Sequence, residues 1–599
     1  MLRSTSIQLP RLIPLLSASI FYTVSPNLLA DVNTELAKLL NKDPNLQVTW
    51  NETHTQPVYL NGQLSVGQYR SAQQLVDTFL QQHRSLLGLA QNSNLVVTQS
   101  QMTAAGEMLS YKQMHQGLEV VGAKLVARVS QGKLNTLANH LVADLTIDAK
   151  PSITQTSALS LATQEVGDSS LTAEKVDLVY LQWEGVTHLT WRILFPQQQL
   201  PLARYQVWVD AHSGEILITE NRIESFSRPQ ANSSKTLAKV FVPKNLPKLF
   251  SLNALWSDAS RSSPATGEGK GLDGELKTFQ TTQQDNGTYL LYSRQGSKPT
   301  LSYSTSNYNY NTGEIGLFQD EDNLWEDPSA VDAYTKSIIT MDFYRELGAL
   351  NTWYPNSGFT AGINSVVHIR NFDTGLDNAF WDGQIMGYGD GDVFFRPLAG
   401  SLDVVSHELT HGMTEATTNL IYCNEPGALN ESWSDVMAML LSLKRGDTKP
   451  YLLAESIMKI KKTNQAYYAL RRMDDPAFRS DSYPENDYSL KRLQKGNRVW
   501  GQPAHVHEQY QVRRCTLDND LGGVHINSGI VNRAAYLISK SLGDKKTSRI
   551  YYQALFYLSS TASFKDARAA LKQAATDLYG ADSEAVEQIE LAYDTVGIK

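Results

Sequence analysis

The stretch DVVSHELTHGMTE (residues 403–415) sets two histidines four apart, with a glutamate directly after the first. On an α-helix, side chains four apart share a face. His407 and His411 can therefore each turn a ring nitrogen towards one ion, with Glu408 beside them. His-Glu-x-x-His is a helical arrangement for catalytic zinc. Such a zinc takes three ligands from the protein and keeps a fourth position for water. The pentapeptide alone also fits two solvated histidines on a surface helix. A third ligand in reach separates the two readings.

The next segment, CNEPGALNESWSDVMAMLLSL (residues 423–443), offers one. Pro426 and Gly427 read as a break, with a new helix starting near Leu429. Its apolar stripe is Leu429, Trp433, Val436 and Leu440, and Glu431 and Asp435 lie four apart on a neighbouring face. A helix, a tight reversal and an antiparallel helix bring Glu431 back to the ion. Asp435 is then placed to accept the other ring N–H of a ligating histidine. The other zinc layout needs Gly and His three and six residues beyond the second histidine. Those positions hold Thr414 and Thr417, so a third histidine ligand is absent and Glu431 is favoured.

The chain has 599 residues, enough for about three or four domains. A net charge of -8, with no block of Lys and Arg, argues against nucleic-acid binding. The first 30 residues read as a secretory signal: Arg3 and Arg11, an apolar run from Leu12 to Val24, then small residues near Ala30. An N-terminal membrane anchor is the alternative. No other apolar run is long enough to span a bilayer, so no stable membrane insertion is expected, and the protein should be exported and extracellular. There are two cysteines, Cys423 and Cys515, and export permits them to pair.

Between residues 31 and 225, several segments alternate apolar and polar residues around turns such as SQGK and AHSGE. SAQQLVDTFLQQHRSLLGL and SALSLATQEVG read as amphipathic helices beside those strands. Two small α+β units, 31–148 and 149–225, fit this pattern. Residues 226–262 are rich in Ser, Pro, Asn and Lys and read as a linker holding a processing point. Residues 263–400 read as a β-rich lobe interrupted by the helix AVDAYTKSIITMDFYREL, and 401–599 as an α-helical lobe. Ligand sites favour the cleft between such lobes.

DVVSHELTHGMTEATTNLIY, NEPGALNESWSD, GGVHINSGIVNRAAYLI, DNAFWDGQIMGYGDGD, ALRRMDDP and the closing AYDTVGIK together resemble the thermolysin family of secreted zinc endopeptidases. The likeness runs from about residue 262 to the end. YKQMHQGLEVVGAKLV resembles that family's paired propeptide domains, a fungalysin/thermolysin-type unit followed by a PepSY-like one. The resemblance implies an α+β, two-lobed protease with one zinc in the cleft, made as a zymogen and acting as a monomer on protein or peptide substrates. Its own propeptide would serve as folding aid and inhibitor.

The same resemblance implies roles at matching positions. His407, His411 and Glu431 would hold zinc, and Glu408 would be the general base. His525, oriented by Asp520, would bind the oxyanion together with Tyr422. Asn378 and the backbone of Ala379 would hold the substrate as an added strand, and Arg471 would bind a substrate carbonyl. Phe395, Leu398, Val404, Leu453, Ile457 and Leu470 would line the pocket beyond the cut bond, which implies cleavage before bulky apolar residues. Leu521 stands where the family usually carries Asn. Of its double calcium site, Asp403 and Glu455 remain, while Ser442, Pro450 and Leu452 replace carboxylates. Ca²⁺ wants six to eight oxygens, so that site is expected to be weak or absent. DEDN (320–323) offers oxygens for another calcium, but a solvated turn is the favoured reading. Cys423 is unusual after Tyr422, and a bridge to Cys515 would tie the loop before Glu431 to the segment before His525. A catalytically inactive, peptide-binding relative is the competing reading; it would require loss of Glu408, a ligand or His525, and all are present.

Overall fold

The computed structural model describes residues 26–65, 69–90, 92–143, 145–199, 202–226, 262–295, 301–309, 314–349, 362–371, 374–459, 469–477, 492–494, 497–499, 501–512 and 514–599. Most of the expected signal sequence and nearly all of the expected linker lie outside the described residues. Ala30, near the expected cleavage point, falls in helix α1 (Pro26–Lys42).

Helix α1 buries Val32, Leu36 and Leu39, one stripe at helical spacing. Helix α2 (Ala72–Gln82) is capped by the Ser71 hydroxyl and buries Leu75, Val76, Phe79 and Leu80. Both cover a sheet of β1 (Gln47–Trp50), β2 (Pro57–Ser65), β3 (Ser93–Thr103), β4 (Gly106–His115), β5 (Leu118–Ser130) and β6 (Lys133–His140). The SQGK turn joins β5 to β6. Helix α3 (Gln155–Val166) packs on a second set: β7 (Lys175–Trp183), β8 (Val186–Leu194), β9 (Gln198–Gln199), β10 (Leu202–Ala203), β11 (Tyr205–Asp210) and β12 (Ile216–Asn221). The AHSGE turn closes β11 onto β12. The two sets are fused, because the start of β5 pairs in parallel with β7 through Val120↔Tyr180 and Val121↔Leu181. A single ten-stranded sheet results, with order β1-β2-β6-β5-β7-β8-β11-β12 and with β4 on β5 and β3 on β4, while β9 and β10 pair only with each other. Beyond β12 the chain forms the two-residue strand β13 (Glu224–Ser225).

The back half starts with two sheets. One has the order β20-β16-β15-β14-β21, from β14 (Ser263–Lys270), β15 (Leu276–Gln283), β16 (Tyr289–Leu290), β20 (Gln319–Asp320) and β21 (Leu324–Trp325). The other has the order β13-β24-β25-β22-β18-β17 and recruits β13 to its edge. Its own strands are β17 (Tyr292–Gln295), β18 (Leu301–Asn309), β22 (Gly362–Asn371), β24 (Ala379–Trp381) and β25 (Met386–Gly389), with β19 (Glu314–Leu317) on β18 and β23 (Thr374–Gly375) on β22. Helix α4 (Pro328–Glu346) packs against β18 and β22; Pro328 opens it and the Asp327 carboxylate caps it by accepting from Ala330.

The helical lobe follows: α5 (Leu402–Thr417), α6 (Asn424–Lys444), α7 (Asp520–Tyr557), α8 (Phe564–Tyr579) and α9 (Glu584–Thr595). Helix α6 corrects the sequence expectation, since it begins at Asn424 and not near Leu429. Pro426 sits in the first turn, where the missing N–H has no helical acceptor to lose. Gly427 is required there by contact: a Cβ would lie 2.5 Å from Val524 Cγ1 and 3.0 Å from the Tyr422 carbonyl carbon. Trp433 of α6 is buried and donates its indole N–H to the Tyr551 carbonyl of α7 at 3.2 Å. Among the described residues no helix is long and apolar enough to cross a membrane.

Candidate active site

Every residue of α5 from Asp403 to Thr414 is buried, so the helix has no solvated face for its histidines. His407 and His411 are both fully buried, and their Nε2 atoms lie 3.0 Å apart. Glu431 comes back from α6 to the same point: Oε2 is 3.5 Å from His407 Nε2, and Oε1 is 3.5 Å from His411 Nε2. The three ligand atoms lie within 4.8 Å of one another. One ion with ligands at about 2.0–2.2 Å would bridge that span. Buried polar atoms without partners point the same way. Glu431 Oε2 and both carboxylate oxygens of Glu408 are buried and accept no hydrogen bond among the described residues. The donor set and the orphaned oxygens therefore fit a zinc ion and its water.

The ring nitrogens facing away from this point are held. His407 Nδ1 donates to Asp435 Oδ1 at 2.9 Å. Asp435 also accepts from Arg471 Nε at 2.8 Å, Arg471 Nη2 at 2.7 Å and Asn532 Nδ2 at 2.8 Å. Burial alone would raise this carboxyl, but the Arg471 charge and the donated hydrogen bonds hold it well below its ordinary value. His411 Nδ1 donates to Asn430 Oδ1 at 2.9 Å and meets Glu224 Oε2 at 3.0 Å. Both rings thus present Nε2 to the shared point, as ligating histidines do. Burial, with repulsion from Glu431 and Glu224, pushes the Glu408 carboxyl well above the usual carboxylate range.

His525 is delivered by a break at the start of α7. Leu521, Gly522 and Gly523 all have positive φ, and the regular helix begins after them and is broken once more at Gly543. Asp520 remains its partner despite Leu521: the carboxylate accepts from His525 Nδ1 at 2.7 Å and from its backbone N–H at 3.0 Å. Burial opposes the charged ring, but Glu431, Asp520 and an accepting carbonyl at Nε2 raise it to about 9. Tyr422 lies within 3.4 Å of His525 Nε2 and donates its hydroxyl to Glu431 Oε1. Cys423 and Cys515 form a disulfide, both nearly fully buried, which joins the Tyr422 loop to the segment ahead of His525.

The apolar residues expected to line the substrate pocket belong to the main core. Phe395, Leu398, Val404, Leu453 and Ile457 are buried in one apolar cluster, and half-buried Leu470 packs on it. Asn378 orders the rim by accepting the Ala379 N–H with its side chain at 3.0 Å and the Gly389 N–H with its carbonyl. Asp403 and Glu455, the two carboxylates left from the expected calcium pattern, are both held by the protein's own groups or by burial. Asp403 is taken up by the Ser401 hydroxyl and by the N–H groups of Val404 and Ala454. Burial and the negative charges of Asp403 and Asp447 push Glu455 up to about 8. In the DEDN turn, Asp320 accepts the N–H groups of Asp322 and Leu324, its own backbone.

Sequence reasoning missed one group at the site entirely. Glu224, Ser225 and Phe226 lie inside the cleft: Glu224 beside His411, Ser225 beside His525, and the Phe226 ring 5.0 Å from the His407 ring. The only signal for them was an apolar alternation running off the end of β12, which says nothing about where the strand lands.

Two family profiles match the chain: "Thermolysin metallopeptidase, catalytic domain" over residues 266–415, and "Thermolysin metallopeptidase, alpha-helical domain" over residues 418–598. The chain belongs to the thermolysin family. Together the two profiles cover more than half of it, and it is a zinc metalloendopeptidase of α+β fold. It is 30% identical over 587 residues to a thermolysin of Alicyclobacillus acidocaldarius subsp. acidocaldarius, covering 92% of this chain and 94% of that one. It is 36% identical over 345 residues to an extracellular elastase of Staphylococcus epidermidis, covering 56% and 60%. A solved precursor of protealysin, a metalloproteinase from Serratia proteamaculans, superposes with TM-score 0.41 at 27% identity, covering 50% of this chain and 87% of that one. Zinc is the family's metal, and His407, His411 and Glu431 are the residues placed to hold it.

Proposed function

We propose that this thermolysin-family member is exported as a zymogen and hydrolyses protein substrates before bulky apolar residues. The observation that carries the reading is the convergence of His407, His411 and Glu431 beside a fully buried, unpartnered Glu408. When bound there, zinc would polarise the scissile carbonyl and acidify a water molecule. Glu408 is the general base: its unpartnered carboxylate takes the proton from that water and later gives it to the leaving amine. His525 and Tyr422 face the same space and donate to the carbonyl oxygen as it turns negative. Asp520 holds His525 Nδ1 at 2.7 Å, which leaves Nε2 to act as the donor. Ala379 lies on β24, whose outer side is covered by β13, and once that segment leaves it pairs with the substrate as an added strand; Asn378 orders that edge, and Arg471 holds the carbonyl after the cut. The apolar cluster around Phe395, Leu398, Val404, Leu453, Ile457 and Leu470 supplies the preference for bulky apolar residues.

Residues 31–148 and 149–225 act as a propeptide that assists folding and blocks the cleft. Arg128 pairs with buried Asp577 at 3.0 Å, Lys124 donates to the Leu558 carbonyl at 3.1 Å, and Glu220 accepts the Tyr422 N–H at 3.0 Å. These contacts tie the N-terminal sheet to the helical lobe. The test is casein hydrolysis by the processed protein with and without a zinc chelator, and by Glu408→Ala. Both the chelator and the substitution should abolish it, the substitution by about a hundredfold or more while zinc content is kept. A Glu408→Ala protein that still cuts casein would remove Glu408 from its role.

A further inference from the structure

The segment that closes the N-terminal part occupies the cleft in the pose of a substrate. β13 runs antiparallel to β24, with Glu224 opposite Trp381 and Ser225 opposite Phe380. The Phe226 N–H then donates to the Ala379 carbonyl at 3.0 Å. The carbonyl of Ser225 accepts from His525 Nε2 at 2.7 Å. The carbonyl of Phe226 accepts from Arg471 Nη1 at 2.6 Å. One peptide bond thus has its carbonyl on the proposed oxyanion donor, its nitrogen on the edge strand and the following carbonyl on the arginine. The Phe226 side chain is fully buried in the same apolar cluster as Phe395, Leu398, Val404, Leu453 and Ile457. It stands edge-on to His407, and the Arg471 guanidinium lies over it at 4.7 Å. Upstream the segment is anchored by Arg222 to Glu415 at 3.1 Å and by Glu224 to Asn430 at 3.0 Å.

We infer that Ser225–Phe226 is the bond this enzyme cuts in itself, within one chain, as the first step of maturation. The inference rests on the protease reading above and names that site's first substrate. It moves the processing point from within the linker to its N-terminal border. Water adds across the C–N bond: Glu408 takes one proton, the remaining OH joins the Ser225 carbonyl carbon, the bond breaks, and the proton passes to the Phe226 nitrogen. The products are an N-terminal piece ending in the Ser225 carboxylate and a catalytic piece beginning with a free Phe226 amine. A bulky apolar residue after the cut is what the pocket is proposed to accept, and in this segment the residue after the bond is Phe226, fully buried against His407 and Arg471.

The test follows the full-length chain, purified uncut and then given zinc, by intact mass and N-terminal sequencing of the earliest fragment. The expected new terminus is Phe226-Ser227-Arg228, appearing at a rate independent of chain concentration. Phe226→Asp should slow that cut by about tenfold or more, and Phe226→Leu should restore it. A readout free of turnover uses full-length Glu408→Ala: the amide hydrogen of Phe226, bonded to Ala379, should be protected from exchange, and protection should vanish when Phe226→Asp is added. Casein hydrolysis with a first cut elsewhere, a rate rising with concentration, or an unprotected Phe226 amide would each overturn the inference and leave the protease reading intact. Zinc-loaded protein that cuts neither itself nor casein would overturn both.

Discussion

Replacing Asp435 by asparagine probes how the metal centre is held. Two carboxylate oxygens meet four buried donors: His407 Nδ1 at 2.9 Å, Arg471 Nη2 at 2.7 Å, Arg471 Nε at 2.8 Å and Asn532 Nδ2 at 2.8 Å. Asparagine supplies one accepting oxygen and an NH₂ group that only donates. With its oxygen towards His407, the NH₂ confronts Arg471 Nε and Asn532; with the amide turned, it confronts His407 and Arg471 Nη2. Arg471 is only 6% exposed, so its charge cannot find water instead. Breaking a buried pair this way costs about 3–5 kcal/mol, and the hydrogen bonds that asparagine keeps put the expected loss near the lower end. His407 also loses the carboxylate that orients it, which is worth about 10–100-fold in metal affinity. The assays are urea denaturation and zinc titration against a competing chelator. Asp435→Asn within about threefold of native zinc affinity and within about 1 kcal/mol of native stability would refute the argument.

Two further predictions follow from the same structure. Cys423→Ser with Cys515→Ser opens a loop of 92 residues, so thermal stability should fall by up to about 4 kcal/mol, and unchanged melting would show that the bridge contributes nothing. His368 donates to Asp327 and Asp390, both at 2.8 Å. Burial opposes its charge, but the two aspartates raise its pKa from 6.5 to about 9. A folded value above the unfolded one means full stabilisation below pH 6.5 and loss as pH rises through about 9. The span corresponds to at most about 3 kcal/mol. The stability gap between the native protein and His368→Gln should therefore be larger at pH 6 than at pH 9.5, and equal gaps would contradict the assignment.

The centre of the site was legible because it is local. Two histidines four apart share a helix face, and Glu431 and Asp435 repeat that spacing one short loop later. The helix start was misread for a local reason too, since Pro426 breaks a helix interior but suits a first turn, and Gly427 serves close packing against Val524. The strand alternation around SQGK and AHSGE disclosed the hairpins of the N-terminal part. It did not disclose that β5 continues into parallel pairing with β7, because that register depends on residues about sixty positions apart. Helix α1 went unread because it overlaps the stretch interpreted as a signal sequence. The placement of Glu224, Ser225 and Phe226 was the least legible feature. Three residues have no periodicity, and their partners lie 150 to 300 positions further along the chain.

The account depends on one ion bound by His407, His411 and Glu431. Metal content measured by mass spectrometry on the purified full-length chain, beside His407→Ala, tests that directly. It should give one zinc per native chain and close to none in the variant. A native chain that binds no zinc after reconstitution, or a His407→Ala chain that keeps a full equivalent, would contradict it.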